Sequence, residues 1–377
     1  MKISKSLFLA FAGLGLFACS NEDVTENTSI HGEATVRVTV NTDLLGSVSR
    51  AISPTTPVDK SHGQTADVEI SKIVVKVTAG VVNAEDKGEK TFSSLEELKA
   101  SDNQVTFTGI RQPTKVEVFV NNGKAADWTL TDFYNEGSGS NLGLKAPMYG
   151  YADSATGLTQ DEDGNYSATI TPKHETALLE FSGIKHVDDE GGNCYFETIT
   201  FDGLFLNNVK LSEGSETYFT TATDWATAKG GAPTFSEVGE SFKTEGGQWP
   251  TTGQCYAYNI FPTSNKMPIL TLCFSEITTA NNVVGFEDGI GYATVKNYKI
   301  ENVQSLTKEQ RETLGISETT GTATLTKFVE GYVYKFTNLN VADENIGEGI
   351  DGAKDVSLTA TVKIVPWTIA EGTVEWN

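Results

Sequence analysis

The sequence predicts an all-β fold: two β-sandwich domains in tandem with a few short helices. Three observations carry this expectation. Good helix formers are thin, while threonine, valine and 36 glycines recur through the chain, a composition that favours strands and turns. Apolar residues alternate with polar ones in segments spaced about 10 to 20 residues apart and joined by turn clusters, as in stacked antiparallel sheets. At 377 residues the chain exceeds one average domain, and its 38% hydrophobic content can supply two cores. No repeat with a period of about 20 to 50 residues is present.

The formal charge of -22 argues against nucleic acid and against docking on anionic lipid, both of which need basic surface. It suits a self-repelling surface protein.

The N-terminus, MKISKSLFLAFAGLGLFACSNED, has Lys2 and Lys5 followed by an apolar run from Leu7 to Phe17. This is a secretory signal, because about 11 apolar residues fall short of the about 20 that span a bilayer. Cys19, directly after the run, forms a lipoprotein box, LFAC, in which the cysteine is lipidated and becomes the new N-terminus. Residues 1–19 are thus read as signal and lipobox, with an ordinary signal peptide and a buried cysteine as the alternative. The SNED that follows resembles the surface-export tails of Bacteroidetes lipoproteins. Cys194, Cys255 and Cys273 fit no zinc spacing and are read as buried free thiols, with one disulfide as the alternative.

The elements follow in order. Asn21 to Gly32 is a polar tether. ATVRVTVNTDLLG places Val36, Val38 and Val40 on one face and Thr35, Arg37 and Thr39 on the other, a half-buried strand, read as lying at a sheet edge. The joint GSVSRAISPTTP, Gly46 to Pro57, carries one basic residue, Arg50. Ala66 to Gly80 is a strong strand. The Ser93–Glu97 stretch has the capping signature of a short helix. QVTFTGI and Lys115–Asn122 are strands, and Asn122-Gly123 is a turn signal. Ala125 to Thr159 reads as loop, including the motif APMYG, Ala146 to Gly150. Two strands parted by Pro172 follow, and the domain boundary is placed there, giving domains at 51–172 and 173–377. In the second, CYFETITFDGLFLNNVKLSEG reads as a meander-like pair, and Ser212 to Gln254 as a long loop. CYAYNIFPTSNKMPILTLCFSEI gives two strands joined by a turn. Ser305 to Gly315 is a helix with Thr307 and Gln310 in capping-box spacing and Gly315 as its stop. GYVYKFTNLNV is a strand. At the end, Val356, Leu358, Ala360, Val362 and Ile364 alternate before Pro366-Trp367.

Catalytic patterns are absent: no nucleophile elbow, no zincin helix and no phosphate loop. No catalytic residue, metal or cofactor is expected. His31 and His62 lie in the tether and the joint, and His174 and His186 flank a strand. Asp188, Asp189 and Glu190 near His186 could be a metal cluster but read better as an acidic loop. Asp161–Asn165 lacks the spaced ligands of a calcium loop and reads as a hairpin turn. Asp343 to Asp355 reads as a solvated acidic loop, with an adventitious calcium site as the alternative. A carboxylate pair for glycoside hydrolysis has no spacing signature, and the five tryptophans are scattered.

The order of LFACSNED, VTVNTDLLGSVSRA, APMYG, TALLEFSGI, VSLTATVKIVPW and the terminal VEW resembles the Bacteroidetes fimbrillins, the FimA-like and Mfa-like shaft subunits of type V pili. It covers nearly the whole chain. The resemblance implies transthyretin-like, Greek-key sandwiches and a cell-surface fimbria with a role in adhesion and biofilm. It implies a precursor held in the outer membrane by a lipid, such as palmitate, on Cys19. A trypsin-like protease would cut between Arg50 and Ala51, removing residues 20–50 with the first strand, Ala34 to Leu45, whose inward residues are Val36, Val38, Val40 and Leu44. A donor strand within 355–377 of the next subunit, carrying Val356, Leu358, Ala360, Val362, Ile364 and Trp367, would fill the groove. Partners would be other copies in a head-to-tail polymer, anchor and tip subunits, and the protease. Burying five such alternating side chains contributes about 5–12 kcal/mol before ordering costs. The alternatives are an accessory tip or anchor subunit, or a monomeric surface lipoprotein that binds glycan or host protein.

Overall fold

In a computed structural model of the chain, the described residues are 33–42, 70, 72–79, 88–121, 124–130, 147–188, 195–220, 222–231, 235–243, 249, 256–263, 266–279, 286, 288–336, 339–350 and 357–366. The chain is all-β, with three short α-helices among these residues. Met1–Gly32 lies outside them, and Glu33–Asn377 forms one compact unit.

The strands of the first half are β1 (Ala34–Val40), β2 (Ile73–Ala79), β3 (Glu89–Phe92), β4 (Gln104–Ile110), β5 (Pro113–Val120), β6 (Met148–Asp153), β7 (Thr159–Gln160), β8 (Tyr166–Ile170) and β9 (Lys173–His174). They form a four-stranded sheet, β4-β1-β8-β7, and a five-stranded sheet, β3-β2-β5-β6-β9. Two-residue alternation sends Val36, Val38, Val40, Val105 and Ile170 from one sheet, and Val75, Val116, Val118 and Met148 from the other, into one hydrophobic cluster. Helix α1 (Leu95–Lys99) is capped one residue inside the expected stretch: Ser94 accepts the Glu97 N–H, while the Glu97 carboxylate receives the Ser93 N–H and hydroxyl.

APMYG corrects the loop expectation, since Met148 and Gly150 begin β6. Gly150 is there because a Cβ would stand 2.8 Å from Ile170 and 3.1 Å from the Pro172 backbone. The small residue that looks like a loop signal is a close-approach site inside a strand.

The strands of the second half are β10 (Ala177–Phe181), β11 (Ile184–His186), β12 (Phe196–Asn207), β13 (Val209–Lys210), β14 (Tyr218–Phe219), β15 (Phe235–Ser241), β16 (Tyr256–Ile260), β17 (Ile269–Thr279), β18 (Gly291–Ile300), β19 (Ala323–Thr324), β20 (Tyr332–Phe336), β21 (Leu339–Val341) and β22 (Ser357–Pro366). A large sheet runs β15-β12-β17-β18-β22-β20-β10-β16, with β19 paired to β18. Its main hydrophobic cluster holds Leu179, Phe181, Phe201, Tyr258, Phe274, Tyr298 and Phe336, and it also takes Trp128 and Leu130 from the first half. Apart from those two, cluster membership changes along the chain between Ile170 and Ala177.

Several second-half readings need correction. Phe196–Asn207 is one long strand rather than a pair, and it turns into β13 at Asn208, whose φ of 55° is left-handed. The stretch 212–254 is not one loop. It contains helix α2 (Trp225–Gly231) and the edge strand β15. Asp224 starts that helix by accepting the Thr227 N–H at 2.6 Å. Strand β18 has no sequence expectation at all. Its inward residues are Ala293 and Val295, then Tyr298 and Ile300. A register shift against β22 between Val295 and Asn297 breaks the two-residue period that would have revealed it. Helix α3 (Lys308–Leu314) is as expected: Thr307 and Gln310 cap reciprocally, and Gly315 closes it at φ 71°.

Candidate functional site: the first strand and the slot it fills

Strand β1 has seven residues, and its alternation is strict. Val36, Val38 and Val40 have no exposed surface and Ala34 is 7% exposed, while Arg37 is exposed. It lies inside its sheet, between β4 and β8, which corrects the edge position read from the sequence. It runs antiparallel to β4, with Val38 opposite Val105, and parallel to β8, with Val38 opposite Ala168. Both rows of its backbone groups are therefore engaged.

Contacts at each end fix the register. The Thr35 N–H donates to Asn165 Oδ1 at 3.1 Å. The Val40 N–H donates to the Asn103 carbonyl at 2.9 Å, and the Asn41 N–H to the Ile170 carbonyl at 2.8 Å. Arg111 and Glu33 pair at 3.3 Å, both exposed, which contributes little. Asn165 is available because Asp161 shapes its turn: the Asp161 carboxylate accepts the N–H groups of Asp163 and Asn165 at 3.0 and 2.8 Å. The acidic stretch that faintly resembles a calcium loop is the hairpin that positions a clamp on β1.

Taking β1 away would leave β4 and β8 facing each other across an empty strand width, about 10 Å. Two rows of N–H and C=O groups would lose partners, and the apolar floor under the three valines would open to water. Leu44, Arg50, Ala51 and Cys19 lie outside the described residues, as do His31, His62, Cys194, Cys255, Val356 and Trp367. The segment carrying Leu358, Ala360, Val362 and Ile364 is β22, which sits inside the chain's own large sheet. It is parallel to β18, with Leu358 opposite Val295, and antiparallel to β20, with Ile364 opposite Tyr334.

The remaining candidates have structural partners. His174 is buried and burial pushes its pKa down to about 3, so it is neutral. Cys273 is a buried free thiol, and burial raises its pKa. Asp343 corrects the solvated-loop reading. It is buried in a 3-10 turn, Asp343–Asn345, and its Oδ1 lies 2.5 Å from His186 Nε2. Its Oδ2 accepts the N–H groups of Tyr195 and Phe196 at 2.5 and 2.9 Å. Sequence separations of 157 and 148 hide this pair from any local pattern. Among the described residues no group of three or more His, Cys, Asp or Glu could hold a metal ion, and no helix is long and apolar enough to cross a membrane.

Burial alone would raise the Asp343 pKa, but His186 and the two N–H donors outweigh it and hold the carboxyl below its ordinary value. Its stabilising contribution is therefore present above the ordinary aspartate pKa and is lost as pH falls through the lowered one. Asp343→Ala is expected to cost about 2–4 kcal/mol in denaturant unfolding, because it strands three donors. Asp343→Asn is expected to cost less and to flatten the acid limb of stability. An acid limb equal to that of the unsubstituted protein would refute this role.

No protein-family model matches the sequence, and no curated protein matches it. Solved structures do. A fimbrilin from Porphyromonas gingivalis W83 is similar at 12% identity and a TM-score of 0.45, covering 90% of this chain and 99% of that one. A candidate cell adhesion protein from Bacteroides eggerthii DSM 20697 is similar at 12% identity and a TM-score of 0.46, covering 89% and 96%. The tip fimbrial protein of Porphyromonas gingivalis, with a C-terminal truncation, is similar at 10% identity and a TM-score of 0.35, covering 89% and 100%. The solved structures it resembles are fimbrial and cell adhesion proteins. At these identities and scores the likeness assigns neither family nor activity.

Proposed function

We propose that the chain is a structural subunit of a cell-surface fimbria whose first strand is a removable plug. The observation that supports this is the interior position of β1: a seven-residue strand, apolar on one face and paired on both sides, followed ten residues after Val40 by a single arginine, Arg50, in the small, polar, proline-punctuated joint Gly46–Pro57.

A cut between Arg50 and Ala51 separates β1 covalently from everything it packs on. What then holds it is backbone pairing and the three valines, and its departure opens a slot that accepts any extended segment of matching alternation. Filling the slot from a second copy is head-to-tail and does not close, so it builds a filament. The donor lies within 355–377. The uncut strand blocks assembly until export, with Cys19 lipidation anchoring the precursor in the outer membrane. Domains at 51–172 and 173–377 divide the work: the first carries the slot, the second carries the donor.

The test is the N-terminal residue of the protein in material sheared from the cell surface, read by peptide mass spectrometry. Ala51 is expected. A lipidated Cys19 as the only terminus would mean the plug stays in, and would favour an anchor subunit or a monomeric surface lipoprotein.

A further inference from the structure

The outer face of the five-stranded sheet carries a cluster that the slot does not use. On β5 and β6 the residues pointing away from the core are Lys115, Glu117 and Phe119, and Tyr149 and Tyr151. Glu117 lies opposite Tyr151, and Phe119 opposite Tyr149. Lys124 reaches in from the stretch just before a 3-10 turn, Ala125–Asp127. Three donors converge on Glu117 Oε1: the Tyr149 hydroxyl at 2.6 Å, Lys115 Nζ at 2.8 Å and Lys124 Nζ at 3.1 Å. Burial would raise the Glu117 pKa, but Lys115, Tyr149 and Lys124 outweigh that and hold it at about 2, so it is ionised throughout the working range.

The two ammonium groups are fixed over aromatic rings. Lys124 Nζ stands 4.3 Å from the Tyr149 centroid, and Lys115 Nζ 4.8 Å from that of Tyr151. The rings of Tyr149 and Tyr151 are 5.9 Å apart with 24° between their planes, and Tyr151 is 45% exposed. Asp153, opposite Lys115, accepts the N–H groups of Ala155 and Thr156 at 2.9 Å each and keeps its charge, so it and Glu117 together match Lys115 and Lys124, while Glu89 faces Lys76. Lys173, opposite Tyr149 on β9, adds a further exposed cation. A chain with a net charge of -22 thus presents, on this face and among the described residues, four lysines against three carboxylates beside the exposed ring of Tyr151.

We propose that this face binds an acidic saccharide, its carboxylate held by Lys115 and Lys124 and its apolar ring face packed on Tyr151. Charge complementarity requires an anionic ligand, and aromatic faces take the C–H side of a sugar ring. The dimensions decide between a saccharide and a protein. Four residue steps along a strand and one strand spacing span about 13 by 5 Å. That accommodates one or two sugar rings and is far below the about 800 Å² per partner of a stable protein interface. The proposal is independent of the fimbrial reading.

The experiment is calorimetric titration of the full chain with a galacturonate trisaccharide, with maltotriose as the neutral control, at low and at 0.3 M salt. Binding of the galacturonate alone is expected, weakening with salt as screening shortens the reach of the lysines to roughly 5–6 Å. Tyr151→Ala, which touches none of the Glu117 hydrogen bonds, and Lys124→Gln are each expected to weaken it about tenfold. No binding at low salt, equal binding of maltotriose, or unchanged binding by both variants would overturn the proposal. So would self-association of the chain that is lost in Tyr151→Ala, since a second copy would then be the occupant.

Discussion

A chain beginning at Ala51 is expected to lose most of the stability of its first core, and a synthetic peptide, Ala34–Leu45, is expected to restore it in trans. Val36, Val38 and Val40 are fully buried, and at about 1.5–3 kcal/mol each they contribute about 5–9 kcal/mol. That is comparable with the about 5–15 kcal/mol by which a whole domain is stable. The exposed edges of β4 and β8 add unpaired backbone groups on both sides of the slot, so the loss exceeds that of an edge strand. The measurement is a thermal melt of the shortened chain with and without peptide. A peptide carrying Val38→Asp is expected to fail, because it would bury a carboxylate opposite Val105 and Ala168. A melt unaltered by removal of residues 1–50 would show that β1 is dispensable and would remove the physical basis of the plug.

Ending the chain at Asp355 is expected to be far more damaging than ending it at Pro366. Strand β22 is registered with β18 at six positions and with β20 at five. Deleting it divides the large sheet between β18 and β20 and leaves two new internal edges. At about 0.5–1.5 kcal/mol for each paired position, the loss is on the order of 5–16 kcal/mol, enough to abolish cooperative unfolding of that half. The chain ending at Pro366 keeps every one of these pairs and is expected to melt as the full chain does. Its assembly then locates the donor. If it still polymerises, 357–366 leaves its own sheet and enters a neighbour. If it stays monomeric, the donor is 367–377. A collapse of both truncations would contradict the placement of β22.

The two truncation experiments read different molecular events. Removing β1 tests the acceptor slot in a core built by β4, β8 and the five-stranded sheet. Removing the C-terminal segment tests the donor, whose described part, β22, is paired within the large sheet of the second half. A polymer needs both, so a monomer produced by either truncation is informative only beside the melt of the same chain.

What the sequence determined by itself were the properties that neighbouring residues dictate. The alternation of Val36, Val38 and Val40 set the buried face of β1, because the strand period is two. Thr307, Gln310 and Gly315 set the limits of α3 through capping chemistry that acts within one turn. The composition set the all-β class. Tertiary structure decided everything that depends on distant partners. Whether β1 is an edge or an interior strand depends on β4 and β8, which lie about 70 and 130 residues further on. Seating β22 in the chain's own sheet depends on β18, a strand whose bulge at Val295–Asn297 erased the local period. Asp343 looked like one more solvated acid until folding brought it to His186, and Gly150 looked like a turn until Ile170 was pressed against it. Local periodicity reports which face of a strand avoids water. It carries no term for which strand lies alongside, because backbone hydrogen bonds are the same for every residue, and the choice of neighbour is made only when the side chains of whole sheets pack together.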